Sequence, residues 1–205
     1  MKPKLWYRYR GLRKMEYRLG KNIVSNFIKK RLKDNGEVRV LEIGFGEGKV
    51  LLDLKALFPD KRVKLFGLNK KKEGNMHGKN DFIKNAKLFG LKIDNNNLPV
   101  PYFYDAGERL KFKDNYFDLV ISQVSFHYFG NKAKLLEEIW RVLKIDGRAF
   151  LHIDEDVRKG SPDWMYLNAD TPRFVIYQKN NVPPRTKVRG LNGTCFLDAQ
   201  SATPH

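Results

Sequence analysis

The chain has 205 residues, enough for one domain with a sizeable core and too few for two ordinary ones. Apolar residues make up 41%, and the longest apolar runs fall far short of a bilayer span, so no transmembrane segment is expected. One cysteine, Cys195, excludes a disulfide within the chain and argues against a thiolate zinc site, and a reducing, cytoplasmic setting fits best.

The formal charge of +17 is concentrated early. The start, "MKPKLWYRYRGLRKMEYRLGK", has no apolar core and no small-residue cleavage site, so it is not expected to be a secretory signal. Trp6, Tyr7, Tyr9 and Tyr17 are interleaved with lysines and arginines over residues 1–33. Cations pair with phosphates and aromatic faces stack on unpaired bases, so residues 1–33 are a possible nucleic-acid contact. The competing reading is a solvated surface in a chain rich in lysine and asparagine throughout.

Residues 21–35 place Ile23, Val24, Phe27, Ile28 and Leu32 on one helical face and stop at "DNG". "VRVLEI" (38–43) reads as a buried parallel strand. Residues 47–58 read as a helix with Val50, Leu51, Leu54 and Leu57 inward, ended by Pro59. "VKLFGL" (63–68) is a second strand, residues 79–90 a weaker helix, "VPYFY" (100–104) a third strand and "FDLVIS" (117–122) a fourth. Residues 131–144 form a helix ended near Asp146 and Gly147, "RAFLHI" (148–153) is a fifth strand and "RFVIYQK" (173–179) a sixth. This alternation predicts an α/β fold, a Rossmann-like, doubly wound, mostly parallel sheet whose C-terminal end reads as abbreviated. The expected division is a basic N-terminal helical segment (1–36), an α/β domain (37–179) and an irregular tail (180–205) with no periodicity.

"VLEIGFGEGK" is where the sequence turns chemical. A strand that ends in glycines and feeds a helix lets backbone approach a ligand and points N–H groups at its polar parts. Gly48-Lys49-Val50 lacks the Ser or Thr of a Walker loop, and the third glycine comes one residue too early for a dinucleotide fingerprint. Glu42 lies two positions before the first glycine.

This block resembles the first motif, E/D-x-G-x-G-x-G, of the class I S-adenosylmethionine (SAM)-dependent methyltransferases, the group similar to ubiquinone and menaquinone biosynthesis methyltransferases. "YDAGERLKFKDNYFDLVISQVSFHYF" (104–129) and "LLEEIWRVLKIDGRAFLHI" (135–153) resemble two further blocks in the right order, so the resemblance covers about residues 37–153.

The resemblance implies SAM as cofactor and methyl transfer to an O, N or C nucleophile of an unidentified acceptor. It implies that Gly44, Phe45, Gly46 and Gly48 shape the loop under the methionine part and that Glu42 acts near its amino group. Glu42 as a loop-fixing acceptor is the alternative. Asn69 stands where the family usually carries the Asp or Glu that bridges the ribose hydroxyls, and an aspartate there is expected to keep or tighten affinity. Asp105 and Ala106 would meet the adenine, and Gln123 with Val124 would flank the sulfonium. His127 is the candidate general base, needed only where the nucleophile cannot shed its proton. Asp154, Glu155 and Asp156 read as a solvated acidic turn, and no metal is assigned.

A small-molecule acceptor is the first reading. An RNA or nucleoprotein acceptor held by the basic segment is the second, although "SQVSF" stands in place of the [ND]-P-P-[YF] signature of base methylation. A non-catalytic SAM-binding domain is the third, suggested by Asn69 and the short C-terminal region. Oligomeric state has no signal in the sequence.

Overall fold

The structure, a computed structural model, describes residues 11–19, 21–72, 74–106, 109–123, 125–153 and 173–178. Two helices come first, α1 (Leu12–Leu19) and α2 (Ile23–Asn35), followed by β1 (Val38–Ile43), α3 (Lys49–Leu57) and β2 (Val63–Asn69). Then come α4 (Asp81–Leu88), β3 (Val100–Phe103), β4 (Phe117–Ser122), a short 3-10 helix (Phe126–Tyr128), α5 (Lys132–Val142), β5 (Leu143–Ile153) and β6 (Arg173–Gln178). The strand expectations all fall on these elements. The separate helix α1 was not distinguished by periodicity.

The strands form one sheet in the order β3-β2-β1-β4-β5-β6. The first five are mutually parallel and β6 joins antiparallel to β5. Every residue of β4 is buried, as is every residue of β1 except Arg39. That explains why four of the six residues in each strand are apolar with no alternation, since helices cover the two faces. On one face Leu12, Met15, Ile28, Leu51 and Phe82 from α1 to α4 pack on Val40 and Ile121. On the other, Leu135, Ile139 and Val142 of α5 pack on Leu41, Ile43 and Val120. Strand order reverses between β1 and β4, and the carboxyl ends of these two strands are where such a sheet binds ligands.

Two local expectations are corrected. Leu57 is half exposed, and Lys55 takes the inner face of α3 instead. Its stem lies in the core while its ammonium donates to the Val63 carbonyl (2.7 Å) and to Asn97 Oδ1 (3.2 Å), and burial pushes its pKa down to about 8. A pattern of apolar letters cannot register a lysine whose charge is met by partners elsewhere in the chain. The second correction is β5, which starts at Leu143 rather than Arg148. Leu143 pairs with Phe117, the chain bulges through Lys144–Gly147 with Asp146 at φ +61°, and pairing resumes at Arg148 opposite Leu119. Aspartate tolerates that left-handed backbone better than most residues.

At the lower end of the sheet Asp118, fully buried, accepts from the Arg39 N–H (2.9 Å) and from Lys144 Nζ (2.8 Å). This ties β1, β4 and the β5 bulge together.

Candidate cofactor and active site

β1 delivers Glu42 to the carboxyl edge on the α3 face. Its side chain is 3% exposed and Oε2 has no hydrogen-bond partner. Burial first, and then the negative charge of Asp53 on α3, hold its carboxyl well above the usual carboxylate range, against a hydrogen bond from the Leu51 backbone. The glycine loop follows directly. Gly44 has φ +75°, and a Cβ there would sit 2.2 Å from Ser125 Cβ, so only glycine admits the β4 loop this close. Gly46 has φ +54° and faces open space, with nothing within 4 Å of where a Cβ would be. Gly48 precedes α3 as its N-cap. Phe45 turns its ring into the core against Phe82 and Phe103, with centroids 5.9 and 6.2 Å away, so that ring serves packing.

Asn69, at the end of β2, is 5% exposed and clasps the loop. Its Oδ1 accepts from the Gly46 N–H at 3.0 Å and its Nδ2 donates to the Gly46 carbonyl at 2.9 Å. The amide thus meets both polar groups of one peptide residue, which only an Asn or Gln head group can do. The expectation for Asn69→Asp therefore reverses. A carboxylate cannot donate to the Gly46 carbonyl and sets an anion against it. Asn69→Asp is expected to lower stability by about 1–3 kcal/mol and SAM affinity by about tenfold. Denaturant melts and calorimetry check this, and unchanged affinity would show that the clasp does not hold the cradle.

Asp105 follows β3 at the same edge and is exposed, with Lys70 Nζ 2.8 Å from Oδ2, while Ala106 is buried beside it. From β4 come Ser122, fully buried, and Gln123, 7% exposed. Gln123 Nε2 is buried with no partner. Ser125 Oγ donates to the Ile43 carbonyl at 2.8 Å and lies 2.7 Å from Ser122 Oγ, locking the β4 loop onto the end of β1. Sequence reasoning passed over Ser125, whose importance rests on a contact 82 positions away. His127 belongs to the 3-10 helix, but its imidazole, like Val124, lies outside the described residues, as does the 154–156 turn. Among the described residues no cluster of His, Cys, Asp or Glu could hold a metal, and no helix is long and apolar enough to cross a membrane.

A parallel sheet with a glycine-rich turn at its switch point and a buried carboxylate beneath defines a Rossmann-like domain for an adenosine-type cofactor. The chain belongs to the class I SAM-dependent methyltransferases: a family model described as "Methyltransferase domain" matches residues 41–151, more than half of its length. SAM is accordingly its cofactor.

Among curated proteins, malonyl-[acyl-carrier protein] O-methyltransferase of Bacillus cereus is 25% identical over 122 residues, 60% of this chain and 39% of that protein. The uncharacterized methyltransferase YcgJ of Bacillus subtilis is 31% identical over 118 residues, 58% of this chain and 41% of its own. The chain thus spans about two fifths of the relatives it matches. Among solved structures, YcgJ aligns at 28% identity and TM-score 0.42, covering 64% of this chain and 53% of that one. A SAM-dependent methyltransferase from Methanosarcina mazei aligns at 20% and 0.49, covering 65% and 58%.

The residues present fit this cofactor. Glu42 Oε2 and Gln123 Nε2 are both buried without a partner, Glu42 on β1 and Gln123 directly after the adjacent β4, and Gly46 leaves open space above the loop. An amino-acid zwitterion has the complementary ammonium and carboxylate.

Glu42→Gln tests the acidic half of this match. In the ligand-free protein the folded carboxyl titrates above its unfolded value, so its contribution to stability is full below the unfolded value and is lost as pH rises through the raised one. The glutamine variant lacks that loss and should gain on the parent in denaturant melts as pH rises. Its SAM affinity should nevertheless drop by about tenfold or more, because a charge-assisted hydrogen bond contributes roughly 1.5–3 kcal/mol. A variant that binds as tightly as the parent would leave Glu42 as a loop-fixing residue only.

Proposed function

We propose that the protein transfers the methyl group of SAM to an O, N or C nucleophile of a small-molecule acceptor. The observation that carries the reading is the pair of unpartnered buried atoms, Glu42 Oε2 and Gln123 Nε2, at the carboxyl ends of the two central strands. Bound SAM supplies a sulfonium-activated methyl group, so the chain's task is alignment and exclusion of water. Glu42 accepts from the amino group, Gln123 donates to the carboxylate, and Asp105 accepts from the adenine amino group once Lys70 yields. His127 takes the acceptor's proton where the nucleophile cannot shed it unaided. The Bacillus cereus relative is named as an O-methyltransferase, which favours an oxygen nucleophile.

Calorimetry with SAM and with its demethylated product, S-adenosylhomocysteine, against NAD as control tests the cofactor. A labelled-methyl assay on small-molecule, protein and RNA extracts tests transfer. NAD binding without SAM binding would overturn the reading. One observation favours a second reading, a SAM-binding domain without transfer. Asn69 spends both its polar atoms on Gly46 and leaves the ribose without the family's usual carboxylate. Binding with no label transferred to any extract would favour it.

A further inference from the structure

A cavity of about 720 Å³ lies between α1, the start of α2 and the first turns of α3. Arg13, Lys14, Lys21 and Lys49 line it, with Tyr17 and Asn22 between them. Two carboxylates also reach its wall, and both are already engaged. Glu16 accepts from the Ser25 N–H (2.7 Å) and the Ser25 hydroxyl (2.6 Å). Asp53 accepts from the Leu12 N–H at 2.9 Å, which fixes the start of α1, and pairs with Lys49. Arg13, Lys14 and Lys21 have no carboxylate partner among the described residues, and Lys14 lies over the Tyr17 ring, 5.5 Å from its centroid. The chain just upstream brings no counter-charge, since residues 1–10 contain Lys2, Lys4, Arg8 and Arg10 and no acid.

The cavity reaches Lys49, the first residue of α3, next in sequence to the glycine loop. Lys49 directly follows Gly48, and both Lys49 and Asp53 belong to the helix that the glycine loop feeds. The charge of Asp53 is felt at Glu42, the residue proposed above to meet the amino group of SAM.

We propose that this cavity holds the anionic group, a carboxylate or a phosphate, of a small methyl acceptor. The assignment rests on the methyltransferase reading above. Arg13 offers a planar pair of donors, and Lys14 and Lys21 offer point charges. The volume falls within the roughly 300–1,000 Å³ of small-ligand sites, whereas single-stranded nucleic acid is held in a groove that tracks its backbone.

The test uses the full chain and the variant Arg13→Glu/Lys21→Glu, both positions being exposed. Pyrophosphate, citrate, a short single-stranded oligonucleotide and S-adenosylhomocysteine are each titrated by calorimetry. The parent is expected to bind pyrophosphate or citrate, the tighter one naming the acceptor's anion. The variant should lose about tenfold or more of that affinity while holding S-adenosylhomocysteine within about twofold, which also reports that it is folded. Normal S-adenosylhomocysteine binding, with neither anion bound or with both bound equally by the variant, overturns the anion site and leaves the methyltransferase reading standing. A parent that does not bind S-adenosylhomocysteine overturns both. An oligonucleotide bound far more tightly than either anion, and lost in the variant, overturns the small acceptor in favour of nucleic acid.

Discussion

Gly46→Arg is expected to abolish SAM binding while the protein stays folded. Gly46 sits at φ +54° with open space beyond its Cα, so an added Cβ meets no protein atom within 4 Å. The long cationic side chain would instead occupy the space over the glycine loop, where the proposed cofactor site lies. The left-handed backbone costs an L-residue about 1–2 kcal/mol, a modest toll on stability. Occupying the cradle should cost far more in affinity, beyond about 100-fold or roughly 3 kcal/mol. Gly46→Ala carries the backbone strain with little bulk and separates the two effects, with an expected loss under about tenfold. Gly44→Ala behaves differently, because its Cβ would lie 2.2 Å from Ser125 and the β4 loop must detach. Calorimetry with S-adenosylhomocysteine, paired with circular dichroism melts, reads both quantities. An arginine variant that binds within about threefold of the parent would remove the glycine loop from the cofactor site.

Lys144→Met should cause the largest loss of stability. Asp118 is fully buried, and Lys144 is its one ion-pair partner among the described residues, at 2.8 Å. Removing the cation leaves the Arg39 N–H as the remaining donor to that carboxylate and strands its charge inside the sheet. Breaking a buried pair from one side costs about 3–5 kcal/mol, and the lower end applies here because the lysine side chain is partly exposed. Asp118→Asn in the same chain removes the stranded charge and keeps an acceptor for Arg39, so the double variant should recover more than half of the loss. Urea denaturation of the parent, both single variants and the double variant closes the cycle. A methionine variant within about 0.5 kcal/mol of the parent would mean that water reaches Asp118 freely.

The βα frame was legible because a parallel strand buried on both faces is mostly apolar, as β1 and β4 are, with four apolar residues of six in each. Glu42 and the glycines were legible because the loop is built from consecutive residues. What escaped was set by contacts between distant segments. Lys55 reads as a surface residue until Val63 and Asn97 are seen to receive its charge. Asn69 reads as a weakened ribose ligand until its amide is found spent on Gly46, 23 positions earlier. The start of α1 is fixed by Asp53, 41 positions later, and nothing in the local sequence announces it.

The central place of β1 bears on how the chain is made. One edge of β1 meets β2 across a single helix, but the other waits for β4, with Arg39 and its partner Asp118 79 positions apart. A ribosome adding about 5–20 residues per second leaves that second edge open for roughly 4–16 s. Throughout that interval the nascent chain presents the unpaired backbone of a central strand that is buried in the finished sheet, the kind of template that captures foreign strands. Chains arrested before Phe117 keep the open edge, whereas those that have released Ser122 can close it from within.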